Sequence, residues 1–558
     1  MTIKQQDNTR LKKFSELYEC AKRAYRDTEE RLQRNLDQYR GSQEIDGSLE
    51  CASMVRNITY ELIESELSPD VPYAKVEAES YTEKSERLAE AVERLLYMTR
   101  ERLPMDEIND CDERSTYVFG GSLLLVEWQR GEGEEGVCVR CISPRDFIPE
   151  PGVGRIEEMG YCFLRFTTTK GELITRYGAR IEDLPLADCG FEWGEAISLD
   201  DTVSLVMTFY KNEEGRVGRF IFSGDLILSD EPDYYGALYA DGISFDKENL
   251  AYEKISLQNP DGNIENVNVK RYRPKEFPIV LRKNISSEGE LLGASDADTL
   301  RAVQQAINKV ESRIMQKLLR AGITPIMPED ASVSLSNAIF GQVIKIKSGE
   351  NASQYGTVDT TPDISQDIEE ADRLYDQAKR LLGISDAYQG IDYNRIESGY
   401  AKSLRIAQAQ SRLESKRRMK NIAYERLYKL IFQHYLAFST TTKSLVYKDG
   451  FGDVKDYRFD IADFVERDKN GAYYFFDKLV FTVDKDLFDE YQRESLWEKN
   501  LDNLNSGTLG DKNASTTLLR YWQFQARAHY PNAKENVEYF KKIVEKEARA
   551  KDDRTGNT

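Results

Sequence analysis

Residues able to do chemistry are thinly placed in this chain of 558 residues. Cys138 and Cys141 form a C-x-x-C pair inside Val137-Cys138-Val139-Arg140-Cys141-Ile142. A zinc site needs about four ligands, and such a pair supplies only two. No second C-x-x-C follows, and the only histidines are His434 and His529. The run alternates like a strand, where residues three apart face opposite sides. The seven cysteines (20, 51, 111, 138, 141, 162 and 189) therefore read as ordinary strand or buried residues.

Nucleophile and phosphate motifs are missing too. Two histidines far apart in sequence do not suggest a Ser/His/Asp or Cys/His site. Gly507-Thr508-Leu509-Gly510-Asp511-Lys512 has the wrong spacing for a P-loop, and no G-x-S-x-G occurs. With 97 acidic residues, carboxylate pairs arise by chance, so a metal-dependent nucleic-acid enzyme is the catalytic alternative. No motif marks one, and the expectation is a protein without catalysis, cofactor or metal.

One charged cluster stands out. Between positions 402 and 420 lie Lys402, Arg405, Arg412, Lys416, Arg417, Arg418 and Lys420, opposed only by Glu414. Seven minus one is a local +6 inside a chain of net charge −20. Such a face could meet phosphate, an acidic neighbouring subunit or plain solvent. The neighbour is favoured, because acidic surface is plentiful elsewhere.

The bulk numbers bound the class. A chain of this length suggests two to four domains. Hydrophobic content of 40% with 11% aromatic suffices to fold, and 31% charge with a mean hydropathy of −0.61 predicts a soluble chain. No run approaches the roughly 18 to 20 apolar residues of a membrane span. Met1-Thr2-Ile3-Lys4-Gln5-Gln6 carries no apolar signal core, so cytoplasmic synthesis is the default expectation. A pI near 4.9 gives no counterion-release gain on DNA, yet an acidic lining suits a channel along which DNA must slide.

Hydrophobic periodicity then orders the elements. Residues 8–40 read as a charged amphipathic helix, a surface helix or peripheral arm rather than a specific contact. Helices are predicted at 48–67, 80–103 and 106–117, with a short strand at 73–78. From Gly120 the period changes to strands at 121–128, 137–142, 160–168 and 203–211, with a helix at 170–177 and a further hairpin at 220–228. Residues 229–270 read as an elaborated polar loop. A helix opens at Ser295 with Asp298 in capping-box position, striped by Leu300, Val303, Ile307, Val310, Ile314 and Leu318. A second begins near Asp363 with Gln366 at the box position. Ile364, Ile368, Ala371, Leu374, Ala378 and Leu381 stripe it, and Gly383 ends it. Between them, strands are expected at 323–327 and 342–347 and a helical turn at 332–338. A glycine-bracketed loop leads into Ser398-Gly399-Tyr400-Ala401, and no Pro or Gly then interrupts a helical pattern to Phe438. Strands near 445, 458 and 480 follow, then helices at 486–505, 514–529 and 534–550 and a disordered tail from Asp552.

This order resembles the portal (head–tail connector) proteins of tailed bacteriophages. The residues that carry it are the helix at 295–320, Gly322-Ile323-Thr324-Pro325-Ile326-Met327-Pro328, the helix at 364–382, and Ser398-Gly399-Tyr400-Ala401-Lys402-Ser403-Leu404. The resemblance implies an α+β fold with these parts: an N-terminal wing (1–292), first stem helix (293–321), small α/β clip (322–362), second stem helix (363–383), tunnel loop (384–399), long helix with returning wing strands (400–485), and C-terminal helical crown and tail (486–558). It implies a ring of twelve subunits at one capsid vertex of the virion, assembled in the host cytoplasm. Double-stranded DNA would pass through it during packaging and ejection, without base readout. Partners would be the terminase large subunit, the head–tail adaptor, and the major capsid and scaffold proteins, with no membrane. In the tunnel loop, Gly383, Gly390 and Gly399 would allow bending. Tyr388, Gln389, Asn394 and Arg395 would brush phosphates. Ile323, Thr324, Ile326, Val343, Ile344 and Ile346 would belong to the clip that docks terminase and adaptor. The clip's short strands would complete a sheet with a neighbouring subunit, unless they form a self-contained hairpin. A third reading is a non-portal oligomeric virion protein built on a coiled coil, but the stripe over 399–437 is not a sustained heptad.

Overall fold

The computed structural model describes residues 3–42, 54–79, 83–129, 135–177, 202–239, 252–258, 264–319, 323–326, 334–338, 341–345, 356–359, 362–384, 399–439, 443–448, 454–469, 471–483, 490–527, 530 and 532–555. Its elements mix helix and sheet, an α+β fold. In chain order come α1 (Ile3–Arg40), α2 (Ile58–Glu66), β1 (Ala74–Ala78), α3 (Glu83–Arg102), α4 (Met105–Phe119), β2 (Gly121–Gln129) and β3 (Gly136–Ile142). Next are β4 (Phe147–Pro149), β5 (Tyr161–Thr169), α5 (Lys170–Tyr177), β6 (Thr202–Lys211), β7 (Val217–Ser223), β8 (Leu226–Glu231), β9 (Tyr252–Gln258), β10 (Ile264–Lys270) and β11 (Ile279–Lys283). Helices α6 (Asp296–Leu319) and α7 (Ser365–Leu382) bracket β12 (Ile323–Ile326), β13 (Ser334–Ala338), β14 (Gly341–Lys345) and β15 (Gly356–Asp359). The chain continues through α8 (Gly399–Phe438), β16 (Lys443–Lys448), β17 (Val454–Phe459), β18 (Val465–Arg467), β19 (Tyr473–Phe475), β20 (Leu479–Val483), α9 (Glu490–Asn505), α10 (Ser515–Arg527) and α11 (Ala533–Thr555).

The first core lies under α1. Strands β4 to β8 form an antiparallel five-stranded sheet in sequence order. The stripe Leu11, Phe14, Ala21, Tyr25 and Leu32 is buried within this core. Phe14 stacks on Phe220 at 4.8 Å between centroids, and Tyr18 meets Phe163 edge-on at 5.4 Å. So α1 is no peripheral arm. Its many charges suggested a solvated helix, but they sit on the outer face, while the aromatic stripe supplies the burial that decides docking.

The second core surrounds the later half of α8. Tyr424, Leu427, Tyr428, Ile431, Phe432 and Tyr435 are all buried there. The helix keeps one charged edge, Arg426 and Lys429, at the surface and buries most of its other faces. Strand β20 pairs antiparallel with β1 in the register Ala74↔Val483, so the late strands return to the first part of the chain as expected. Sheet β11-β2-β3 has one face in each core: Leu123 and Leu125 enter the first, Leu124 and Val126 the second. That explains its unbroken apolar run.

Several boundaries differ from expectation. Helix α2 starts at Ile58 rather than 48, where the Asn57 side chain accepts a hydrogen bond from Tyr60 N. The supposed loop at 229–270 contains β9 and β10, paired in the register Val267↔Ile255. Polar residues alternate with Ile255, Leu257, Val267 and Val269 and hide the period-two pattern under a polar average. Helix α11 extends through Thr555, beyond the expected start of a disordered tail.

The third core joins α6, α7 and α2. Ser295 and Asp298 make the expected cap, with Asp298 N donating to Ser295 Oγ at 2.9 Å. At α7 the expected Gln366 box is absent; Asp363 Oδ1 accepts from Ser365 N instead. Gly383 ends α7 at φ +79 with its N–H on Lys379 O, as expected. Lys317, late in α6, meets Asp367, early in α7, so the pair runs antiparallel. Only part of each stripe is buried; Leu318, Ile368 and Leu381 are exposed. Between the helices, β12 pairs with β15 and β13 with β14, each ladder two-stranded and antiparallel. Where a helical turn was expected at 332–338, Ser334–Ala338 form a strand. Ser, Asn and Ala there resemble a helix start, but the residues pair across a ribbon, Leu335 with Ile344 and Asn337 with Gln342.

Candidate functional site: a buried ion junction

Of the four clustered cations on α8 whose side chains are described, Lys416 and Lys420 turn inward. Lys416 and Lys420 lie one turn apart, and both are buried. A lysine stays charged inside a protein only beside acidic partners. Lys416 Nζ lies 2.6 Å from Glu66 Oε2 and 2.8 Å from Asp296 Oδ2. Lys420 Nζ lies 2.9 Å from Glu113 Oε1 and donates to Asp70 O at 2.6 Å. Arg282, on β11, reaches Asp112 Oδ2 at 2.5 Å and Glu113 Oε1 at 2.8 Å.

Five elements supply these groups: the end of α2, the middle of α4, β11, the first turn of α6, and α8. Local sequence fixes each arrival. Gly120 ends α4 at φ +86, and a Cβ there would lie 2.1 Å from Gly293 O, so only glycine lets the chain turn into β2. That turn sets Ser122 Oγ to donate to Asp112. Asn35 and Gln38 of α1 donate to Ser295 Oγ and Ala297 O, both at 2.9 Å, pinning the start of α6 and so Asp296.

The charge count decides the electrostatics. Four carboxyls (Glu66, Asp112, Glu113, Asp296) face three cations (Arg282, Lys416, Lys420). Full ionisation would leave one uncompensated negative charge in a dry interior. Glu66 absorbs the excess. Burial, then the neighbouring Asp296 charge, pushes its carboxyl up to about 8, so it holds a proton at neutral pH. Burial also raises Asp296, against the pull of Lys416. Burial works against Glu113 too, but Arg282 and Lys420 together hold it below the usual carboxylate range. Glu66 Oε2 faces Lys416, while Glu66 Oε1 is buried without a hydrogen-bond partner. The junction is a structural clamp: each of its cations is held by carboxylates from other elements of the same chain.

Lys416 and Lys420 therefore do not contact a neighbouring subunit or phosphate, contrary to expectation. Their partners lie far away in sequence, where helix spacing gives no hint of them. Arg417 and Arg418 are exposed on the outer face of α8 and remain available to a partner. Side chains of Lys402, Arg405 and Arg412 lie outside the described residues, as do Tyr388, Gln389, Gly390, Asn394, Arg395 and Ile346. Gly383 and Gly399 bound that segment, closing α7 and opening α8. Ile323, Thr324 and Ile326 fall on β12, and Val343 and Ile344 on β14. Sequence reading missed Glu66, Asp112, Glu113, Arg282 and Asp296. The usable signal was a pair of lysines four apart, in line with the apolar positions Tyr424, Leu427 and Ile431 that follow on the same helix.

Farther along α8, a cleft of about 390 Å³ opens beside Phe277, Ile279 and Leu281. There Arg426 meets Glu157 at 3.0 Å and Lys429 meets Glu276 at 3.3 Å, all about half exposed.

No family model matches the chain, and no curated protein matches it. Among the described residues, no helix is long and apolar enough to cross a membrane, and no group of three or more His, Cys, Asp or Glu is placed to hold a metal ion.

Proposed function

We propose that the chain is a portal-type subunit of a tailed bacteriophage. A ring of copies would form the channel at one capsid vertex through which double-stranded DNA is packaged and later ejected. The observation that carries this reading is the order of elements. An antiparallel helix pair, α6 and α7, brackets a small β insert, and a 40-residue helix then runs back into the α+β body. The net charge of −20 suits a conduit that must not grip phosphate. Exposed Leu318, Ile368 and Leu381 on a two-helix hairpin suit contact with neighbouring copies. In this reading the β12–β15 insert docks the terminase large subunit and then the tail adaptor. No step of it needs catalysis.

Mass and symmetry test it. Twelve copies of 64.2 kDa give a ring of roughly 770 kDa, since symmetric closure fixes the mass. Light scattering at that mass, with negative-stain rings showing a central hole, is the expected result. A monomer or dimer that cuts DNA on addition of Mg²⁺ would replace this reading with the nuclease.

A further inference from the structure

Cys111 lies on α4 and Cys141 on β3, elements that pack together. Their thiols lie close enough to interact with each other. Ser115, one turn beyond Cys111, brings its hydroxyl to 4.0 Å from Cys111 Sγ. Cys111 is exposed and Cys141 half-buried, so a small reagent can reach the pair from one side. Cys138 is the sequence neighbour of Cys141 but stands opposite Glu127 on β3, an odd number of residues away and hence on the other face. Cys162 is fully buried and Cys20 sits on α1.

We propose that Cys111 and Cys141 are a dithiol that closes reversibly to a disulfide, stapling α4 to β3 when the protein meets a low-molecular-weight disulfide such as oxidised glutathione. The roles of the two sulfurs differ. Hydrogen bonds from Cys141 and Ser115 favour the Cys111 thiolate and bring its thiol down to about 7, against the effect of burial. The same contact and burial hold Cys141 protonated. Cys111 is thus the attacking sulfur. Its thiolate attacks one sulfur of oxidised glutathione, the S–S bond breaks, and one glutathione thiolate leaves and takes up a proton. Cys141 then gives its proton to solvent and attacks Cys111 Sγ, releasing the second glutathione. Two cysteine thiols are oxidised and one disulfide is reduced to two thiols.

The staple bears on the ion junction, because Asp112 and Glu113 follow Cys111 directly on α4. Fixing α4 to the sheet fixes two of the junction's four carboxyls. The C-x-x-C spacing reads as ordinary strand cysteines, and Cys141's neighbour in the fold is Cys111.

The test uses the full chain, treated with oxidised glutathione at pH 7.5, alkylated, and read by intact mass and by mapping of a non-reduced digest. The expected result is loss of two hydrogens with a Cys111–Cys141 cross-linked peptide, reversed by dithiothreitol. Cys138→Ser should behave as wild type. Cys141→Ser should stop at the mixed disulfide, retaining one glutathione on Cys111. Oxidised wild type should also melt a few degrees higher than reduced, and Cys141→Ser should show no such rise. Three outcomes would overturn the proposal: folded wild type that still alkylates at both cysteines after oxidation, a stable glutathione adduct on wild-type Cys111, or a peptide joining Cys138 to Cys141.

Discussion

Helix α8 carries two kinds of cation a few residues apart. Lys416 and Lys420 are buried, each held by carboxylates from distant elements. Arg426 and Lys429 lie half exposed, paired with Glu157 and Glu276 across the mouth of a cleft. All four look alike in sequence. Energetically they are opposites. Exposed pairs trade water for a partner at little gain, whereas a buried pair that loses one member leaves a charge with nowhere to go. Which class a lysine joins is set by the fold around it, and the fold is in turn held by the buried class.

The contrast yields a graded series of tests. Arg282→Met should have the largest effect, because it strands Asp112 and leaves Glu113 to Lys420 alone; a loss of about 3–5 kcal/mol in urea unfolding is expected. Lys416→Met should cost a similar or slightly smaller amount, since Glu66 and Asp296 can share a proton. Next comes a pH effect. The Glu66 carboxyl titrates higher in the folded chain than its ordinary 4.5, so the folded state holds a proton that the unfolded state releases. Stability from that proton is complete below about pH 4.5 and is lost as pH rises to about 8, at most about 1.4 kcal/mol per pH unit. Glu66→Gln keeps the neutral shape and should abolish this decline; the readout is the difference in melting temperature between variant and wild type from pH 5 to 8.5. Asp367→Asn, which frees the half-exposed Arg313 and Lys317 of α6, should cost under about 1 kcal/mol. Arg426→Ala should fall within about 0.5 kcal/mol of wild type.

What sequence could reveal follows the same division. Local rules found the Ser295–Asp298 cap, the Gly383 terminus and the strand at 479–483, because capping and alternation are written in neighbouring residues. They missed what depends on distant partners. The polar mask over Ile255, Leu257, Val267 and Val269 hid β9 and β10, and nothing near Lys416 announces Glu66 or Asp296. The aromatic stripe of α1 was visible, but its docking on the sheet was not, since a surface helix and a docked one share a pattern. Of the junction itself, only the two lysines were legible.

The central claim is that Lys416 serves its own chain rather than a partner. Unfolding by urea of Lys416→Met, beside the triple variant Glu66→Gln, Asp296→Asn, Lys416→Met, tests it most directly. The account predicts a large drop in midpoint for the single variant and substantial recovery in the triple, which removes the stranded charges, with the oligomer mass of folded protein unchanged. A single variant that unfolds like wild type but changes oligomer mass would contradict it and return Lys416 to the subunit interface.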